Sequence, residues 1–198
     1  MTTVPGEHDI ETFTGRYIST RQPRARQVCI EDIAHGLANT CRFGGQCSHF
    51  YSVAEHAAYC AQLARRRGYD RKTQLACLHH DDAEAYLGDI PRPMKGLLGE
   101  RYKRLTRRMD DAIIEALRLP FVRADLHGEH VKEVDNALLM WEARILLPSQ
   151  GRGWSGQSHN WDIETDAGRD AAPLHWEFGL RQHAAEALYL SAHRELMS

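Results

Sequence analysis

The sequence predicts an all-α fold, a single-domain helical bundle of about six helices. Three observations support this prediction: apolar residues recur at helical spacing, capping and stop residues delimit these segments, and strand-like alternation of any length is absent. The chain has 198 residues, enough for one domain with a substantial buried core. We therefore expect residues 1–198 to form one domain whose core spans about residues 30–146.

Local signals place the first helices. Apolar residues recur as in a short amphipathic helix over about residues 30–40. Ser52 and Glu55 form a capping-box pattern, which predicts that a second helix begins directly after Ser52. A third helix is predicted over about residues 72–87, because the glycine that follows is a typical helix stop. Residues 88–93 are then expected to form an ordered loop.

Three further helices are predicted over about residues 100–118, 124–147 and 173–196. Each of the first two carries an apolar stripe, and a proline, which cannot continue a helix, follows it closely. Residues 149–172 are rich in Gly, Ser, Asp and Asn and therefore predict a long loop. Loops of this length are usually functional or mobile.

The charge balance and hydropathy of the chain argue against a nucleic-acid-binding, membrane-spanning or secreted protein. Lys and Arg number 25 against 27 Asp and Glu, so no overall positive field favours a nucleic-acid polymer as partner. The longest apolar stretches fall far short of the roughly 20 residues that cross a bilayer. The N-terminus lacks the basic start and apolar core of a secretory signal. We therefore expect a cytoplasmic protein without membrane contact.

The cysteines form an odd set of five without a Cys-x-x-Cys pair, which favours reduced thiols over a disulfide framework. Cys41 and Cys47 flank a Gly-Gly loop and could ligate zinc, but one pair of this kind is a weak signal. We interpret all five as free or packed thiols.

The densest group of ionisable side chains lies in residues 79–89, which contain two histidines and four carboxylates. On a continuous helix, His80, Asp81 and Glu84 would converge on one face. His80 and Asp81 can offer nitrogen and oxygen ligands to a divalent ion, and Glu84 can act as a base one turn later. The alternative is a solvated polar helix face, which is what most charge runs are.

Two residues outside this group favour a metal site. Asp135 occupies the apolar stripe of a predicted helix, where an ionised carboxylate carries a large desolvation cost unless it is paired or bound to a cation. His56 lies in the first turn of another helix and follows a loop that can face a pocket. A lone histidine in such a place is more often an ordinary satisfied or exposed residue. The succession of His56, the His80-Asp81 doublet and Asp135 on three predicted helices is harder to explain as a set of ordinary satisfied or exposed residues.

At this point the chain resembles a known family, the HD-domain phosphohydrolases, which are all-helical metal enzymes named for their His-Asp doublet. The resemblance covers about residues 30–146 and is most similar to the branch of bacterial 5'-deoxynucleotidases and bacteriophage dATP triphosphohydrolases. The segments that carry it are Asp32–His35, Arg42–Gly45, Tyr51–His56, His80–Pro91 and Val131–Asp135.

The resemblance implies one divalent metal ion, which could be Co, Mn, Zn, Fe, Ni or Mg. Members of the family with two metals have additional histidine ligands between the doublet and the last Asp, and here only His127 and His130 lie in that interval. A mononuclear site is therefore favoured. The four ligands implied for this chain are His56, His80, Asp81 and Asp135.

The resemblance also implies catalytic and substrate-binding residues. Glu84, three residues after the doublet, corresponds to the acid or base that handles the attacking water, and Asp89 to a second catalytic carboxylate near the leaving oxygen. Lys95 resembles a lysine that faces phosphate. Arg42 and Phe43 resemble an Arg-aromatic pair that meets phosphate and sugar or base.

The implied reaction is hydrolysis of a phosphate ester in a deoxynucleotide. The products would be a deoxynucleoside with phosphate from a monophosphate, or with triphosphate from a triphosphate. The similarity to phage enzymes favours deoxyadenosine substrates, and Phe43, Trp154 or Trp161 could fill the space of a missing 2'-hydroxyl. The alternatives are an alarmone or cyclic-nucleotide hydrolase and a non-catalytic nucleotide sensor. The resemblance also makes a homo-oligomer the expected assembly.

Overall fold

Helices make up most of the chain that the computed structural model describes, which comprises residues 6–154 and 178–198. Their bounds are α1 (Ile30–Asn39), α2 (Val53–Arg66), α3 (Arg71–His79), α4 (Glu84–Leu87), α5 (Arg92–Leu117), α6 (Glu129–Leu146) and α7 (Gln182–Met197). Short 3-10 turns lie at Ala25–Gln27, Arg42–Gly45 and Asp125–His127. The prediction of an all-α bundle is confirmed.

A small β-hairpin precedes the helices. Its strands, β1 (Asp9–Glu11) and β2 (Tyr17–Ser19), pair antiparallel with Ile10 opposite Ile18. The expectation that the chain has no strand is wrong here, because strands of three residues are too short to show alternation in a sequence. Asp32 of α1 fastens the hairpin, since its carboxylate accepts three hydrogen bonds from threonines of the hairpin turn.

The central helix of the bundle is α2, which contacts α3, α6 and α7. Its start has the predicted capping box: Ser52 Oγ accepts the Glu55 N–H at 3.2 Å, and Glu55 Oε2 accepts the Ser52 N–H at 3.0 Å. The second carboxylate oxygen of Glu55 accepts the N–H groups of Gly179 and Leu180, which precede α7. Glu55 therefore both starts α2 and holds the segment that leads into α7.

The predicted third helix is interrupted. Instead of one helix over residues 72–87, α3 ends at His79 and a turn of residues 80–83 precedes α4. The backbone N–H of Asp82 donates to the carbonyl oxygen of His79 at 3.3 Å, which is the tighter spacing of a turn. From α7, the Tyr189 hydroxyl donates to the buried Asp82 carboxylate and holds the turn in place. The His-Asp doublet therefore lies in a tight turn rather than on a continuous helix face.

Helix α5 begins earlier than predicted. Residues 88–93 were expected to be a loop, but α5 starts at Arg92 and continues past a kink at Gly99, whose φ is 58°. Pro93 is compatible with this start, because the first N–H groups of a helix have no intrahelical partner. Lys95 therefore lies in a helical turn directly after the loop that follows α4.

Helix α6 begins later than predicted. Gly128 is the N-cap of α6 and separates it from the preceding 3-10 turn, so the predicted helix over residues 124–147 is divided. Glycine has a low helix propensity, which favours a boundary there. Helix α7 begins at Gln182, and most of the predicted 149–172 loop and the predicted helix start near residue 173 lie outside the described residues.

Two apolar clusters form the core of the described residues. One includes Ile33 and Leu37 of α1, and the other includes Leu75 of α3 and Leu138 of α6. Helix α2 contributes to both clusters, so its position is fixed from two sides. In the described part of the chain, every helix is too short or too polar to cross a membrane.

Candidate metal centre

Four side chains that the resemblance implies as ligands converge where α2, the turn after α3, and α6 meet. His56 Nε2 lies 3.4 Å from His80 Nε2 and 3.2 Å from Asp135 Oδ1. The distance from His56 Nε2 to Asp81 Oδ2 is 3.9 Å. His80 Nε2 lies 3.1 Å from Asp81 Oδ2 and 3.8 Å from Asp135 Oδ1. The fold thus brings these residues together from three separate elements.

The separations of the two imidazole nitrogens from each other and from the two carboxylate oxygens resemble those around a single ion. With metal–ligand bonds of about 2.1 Å, neighbouring ligand atoms lie about 3.0 Å apart at right angles and about 3.4 Å apart at tetrahedral angles. The distances of 3.1 to 3.9 Å are close to these values. Small side-chain shifts would therefore suffice to enclose a metal ion.

The outer nitrogens of both imidazoles have acceptor partners. His56 Nδ1 lies 2.7 Å from a Glu142 carboxylate oxygen, and His80 Nδ1 lies 2.8 Å from the carbonyl oxygen of Cys77. Each Nδ1 must therefore carry the proton and donate, which leaves the lone pair of a neutral imidazole on Nε2. Two imidazole nitrogens and two carboxylates then face one another. These groups require positive charge between them, which either a bound cation or a second proton on an imidazole supplies.

The electrostatics of the centre agree with that requirement. Burial lowers the pKa of His80, but the carboxylates of Asp81 and Asp135 outweigh it and hold the pKa well above its usual value. Burial raises the pKa of Asp135, but hydrogen bonds with His56 and His80 outweigh it and hold the pKa well below its usual value. The four side chains therefore stabilise positive charge at their centre.

Glu142 holds His56 and Arg42 in position beside the centre, and the sequence analysis did not identify it. Its fully buried carboxylate receives His56 Nδ1 on one oxygen, together with the Tyr51 hydroxyl at 2.9 Å, and Arg42 Nε on the other oxygen at 3.1 Å. Burial raises the pKa of Glu142, but Arg42 and His56 outweigh it and lower the pKa. A signal was present in the sequence, because Glu142 follows Asp135 by two helical turns and shares its face of α6.

Arg42 and Phe43, the residues implied to meet substrate, adjoin the centre. The buried guanidinium of Arg42 pairs with Glu142, and its Nη1 lies 3.7 Å from Asp81 Oδ2. Arg42 also lies over the Phe43 ring, 5.5 Å from its centroid. The half-buried Phe43 ring lies 6.4 Å from that of Trp154, so two aromatic rings border this side of the centre. Trp161 lies outside the described residues.

Glu84, three residues after Asp81, forms an ion pair with Lys95. Glu84 Oε1 accepts a hydrogen bond from Lys95 Nζ at 2.7 Å, whereas Oε2 is buried without a hydrogen-bond partner among the described residues. Burial, assisted by the negative charge of Asp81, raises the pKa of Glu84 to about 8, although Lys95 opposes the shift. Asp89 is half-buried and adds to this negative field. Glu84 is therefore a carboxyl that can hold a proton near neutral pH.

A thiol also lies beside the two histidines. His56, Cys60 and His80 offer ligand atoms within 4.8 Å of one another, a group that could hold a metal ion. Cys60 Sγ lies 3.5 Å from His56 Nε2, and burial raises the pKa of the thiol well above its usual value. The centre therefore offers two carboxylate oxygens and one protonated thiol as partners for the imidazoles.

His79 and Asp82, which flank the doublet, have a different role. His79 is buried: its Nδ1 lies 2.6 Å from Asp82 Oδ2, and its Nε2 lies 3.1 Å from His193 Nδ1. Tyr189 contacts both Asp82 and His79 from α7. These contacts anchor both sides of the doublet to the last helix.

Comparison with known proteins identifies relatives over most of the chain. No family model matches it. The chain is 39% identical over 145 residues to the uncharacterized protein YfdR of Escherichia coli (strain K12), an alignment that covers 73% of this chain and 76% of that protein. It is also 35% identical over 138 residues to an uncharacterized protein of Rhodobacter capsulatus, covering 68% of this chain and 70% of that protein. At this identity and coverage, the chain belongs to the protein family that includes YfdR.

Proposed function

We propose that this chain is a divalent-metal-dependent phosphohydrolase that acts on deoxynucleotides, as the resemblance to HD-domain enzymes implies. The observation that carries the proposal is the inward-facing acceptor set of His56, His80, Asp81 and Asp135, whose imidazole Nδ1 atoms are already committed to other partners. Two imidazole nitrogens and two carboxylates that need positive charge at their centre suit a cation site.

We propose both carboxylates as ligands in preference to Cys60. Asp81 and Asp135 are held ionised, whereas the Cys60 thiol would have to lose a proton that its burial retains. Two histidines and two carboxylates suit the divalent ions Mn, Co, Fe, Ni and Zn. When bound, such an ion supplies Lewis-acid chemistry, polarising a phosphoryl oxygen and making water more acidic near neutral pH.

Glu84 is the proposed acid or base that moves the proton of the attacking water. A general acid–base group works best when its pKa lies near the working pH, and burial gives Glu84 a pKa of about 8. Its unpartnered Oε2 is free to exchange a proton, because Lys95 engages only Oε1. Asp89, from the loop after α4, is the proposed second carboxylate that serves the leaving oxygen.

The proposed substrate contacts divide into cationic and aromatic groups. Arg42 lies beside Asp81 and Lys95 beside Glu84, and both can neutralise phosphate charge, Arg42 by paired hydrogen bonds and Lys95 as a point charge. Phe43 and Trp154 border the Arg42 side and can pack against a sugar or base. An aromatic ring packed against C2' would disfavour a ribose, because its 2'-hydroxyl would be left without a partner.

The deciding experiment is a substrate panel. The purified chain, stripped with a chelator and reloaded with Mn, Co, Mg or Zn, is incubated with deoxy- and ribonucleoside mono- and triphosphates, a cyclic nucleotide and a guanosine tetraphosphate. We expect a deoxynucleoside from one deoxynucleotide class, with deoxyadenosine compounds preferred, and phosphate or triphosphate as co-product. Turnover of the cyclic or tetraphosphate substrates alone would replace the proposal with the alarmone or cyclic-nucleotide reading. Nucleotide binding without turnover by the metal-loaded protein would replace it with a sensor.

A further inference from the structure

Two cysteines face each other across the loop that carries Arg42. The Sγ atoms of Cys41 and Cys47 lie 3.5 Å apart, and both side chains are half-buried and free. A disulfide requires a sulfur–sulfur distance of about 2.05 Å, so a shift of about 1.5 Å in total would join them. Side-chain rotation at two cysteines can supply a movement of this size.

The backbone holds the two thiols at this distance. Cys41 forms a β-bridge with Ser52, and the Arg42 N–H donates to Tyr51 O at 2.9 Å, so the first end of the loop is fixed. The other end is fixed by the Ser48 N–H, which donates to the carbonyl oxygen of Leu146 at 2.9 Å. The loop reverses between these ends through three consecutive residues, 43–45, with positive φ. The proximity of the thiols is therefore built into the fold.

We propose that Cys41 and Cys47 form an oxidative modification site, at which a peroxide converts the two thiols into a disulfide that closes the loop around Arg42. One thiol attacks the peroxide, forming an S–O bond while the O–O bond breaks and water or an alcohol leaves. The second thiol attacks the resulting sulfenic sulfur, forming the S–S bond and releasing water. Two thiols are oxidised and one peroxide is reduced, and a dithiol reductant reverses the change.

The environment of the pair affects its reactivity. Burial, assisted by a hydrogen bond with Cys41, raises the pKa of Cys47 to about 11. Since the thiolate is the reactive form, the oxidation should be faster at alkaline pH. A reversible bond of this kind suits the cytoplasm, where disulfides are usually transient or redox-sensing.

The disulfide would change the loop that carries Arg42, which lies next to the candidate metal centre. Cys41 directly precedes Arg42, whose carbonyl oxygen accepts a hydrogen bond from the Cys47 thiol at 3.7 Å. Oxidation removes this donor and ties the loop covalently. Arg42, which contacts both Glu142 and Asp81, therefore lies in a loop whose flexibility depends on whether Cys41 and Cys47 are oxidised.

The test uses the full-length chain and reads the bond itself, so its outcome is independent of the proposed enzymatic function. The reduced protein is treated with hydrogen peroxide at pH 8, the remaining thiols are alkylated, and the intact mass and a non-reducing peptide map are recorded. We expect the loss of two hydrogens, a peptide crosslinked between Cys41 and Cys47, and full reversal by dithiothreitol.

The Cys29→Ser variant is the matched control, because Cys29 is also half-buried but hydrogen-bonds to Asp32 and has no cysteine beside it. It should form the crosslink as the unaltered chain does, whereas Cys41→Ser and Cys47→Ser should not. Sulfinic acid at either cysteine, a crosslink between two chains, or two unmodified thiols in the unaltered protein would each overturn the proposal. The peptide map of the unaltered chain decides the matter even if a serine variant folds poorly.

Discussion

Glu142 Oε1 and His56 Nδ1 lie 2.7 Å apart, and both side chains are completely buried. The contact fixes which imidazole nitrogen carries the proton and directs Nε2 toward His80 and Asp135. The same carboxylate neutralises Arg42, so one residue on α6 sets both the orientation of a ligand and the position of a cation.

Replacing this carboxylate should weaken metal binding without touching a ligand. Partners that orient ligating histidines typically contribute a factor of about 10 to 100 in metal affinity. We therefore expect Glu142→Gln to lower Co²⁺ or Zn²⁺ affinity by about that factor, measured by calorimetric titration. It should also destabilise the fold by about 3–5 kcal/mol, because buried Arg42 loses its charged partner. Glu133→Gln, on the same helix but paired with Arg67 and Tyr69, is the control and should leave metal affinity unchanged.

The ligand set can be separated from the neighbouring thiol by substitution. We expect His80→Ala and Asp135→Ala each to abolish stoichiometric metal binding, whereas Cys60→Ala retains it. The Co²⁺ form should lack a sulfur-to-cobalt charge-transfer band in the near ultraviolet if both carboxylates are ligands. A strong band that disappears in Cys60→Ala would show instead that the thiol is a ligand.

Glu84→Gln should separate metal binding from turnover. The amide preserves the size of the side chain and can still accept from Lys95, but it cannot exchange a proton. We expect unchanged metal stoichiometry and a decrease in kcat of about 100-fold or more, typical of a general acid–base group. Glu100→Gln, an exposed residue of α5 paired with Lys103, should match the unaltered enzyme. Wild-type turnover by Glu84→Gln would remove Glu84 from the chemistry.

Lys95→Ala should raise the KM for nucleotides, because a cation that faces phosphate is lost. Removing the cation also takes away the group that opposes the raised pKa of Glu84, so that pKa should rise further. As the base that takes the proton of the attacking water, Glu84 is active when ionised, so the acid limb of the pH–rate profile should move upward with its pKa. Lys103→Ala, exposed on the same helix, provides the control. An unchanged KM would exclude Lys95 from the phosphate site.

His193 predicts a pH dependence of stability. Burial, followed by the proximity of His79, lowers the pKa of His193 to about 4, below the ordinary value of about 6.5 that it has in the unfolded chain. Between these values the unfolded state binds the proton and the folded state does not, so stability is lost as pH falls from about 6.5 to 4. Urea denaturation at pH 7, 6, 5 and 4 should show a shallower decline for His193→Gln. His183→Gln, exposed on the same helix, should behave as the unaltered chain does.

Much of the fold could be predicted because its signals are local. Ser52 and Glu55 are three residues apart, and a capping box needs nothing beyond that spacing to start α2. The interruption between α3 and α4 could not be predicted in the same way. Its cause is the contact of Asp82 with Tyr189, a residue 107 positions away. The hairpin strands were missed for a different reason, since three residues are too few to establish a period.

In the candidate site, too, residues in short motifs could be predicted, whereas residues defined by long-range contacts could not. The four converging side chains belong to short motifs, and the resemblance to HD-domain phosphohydrolases selected them as a set. Glu142 belongs to no motif, and its importance depends on Tyr51, Arg42 and His56 reaching it from distant parts of the chain. The catalytic role of Glu84 stays a prediction, and the continuous helix face assumed for it is in fact two elements separated by a turn.

Glu55 connects the four-residue cluster to the segment that precedes α7. The carboxylate beside His56 grips the backbone of residues 179 and 180, which lie 124 and 125 positions away in sequence. A displacement of residues 179 and 180 would therefore act first on Glu55, which directly precedes His56 in α2. A partner that binds or displaces this segment would thereby change the position of His56 relative to His80, Asp81 and Asp135.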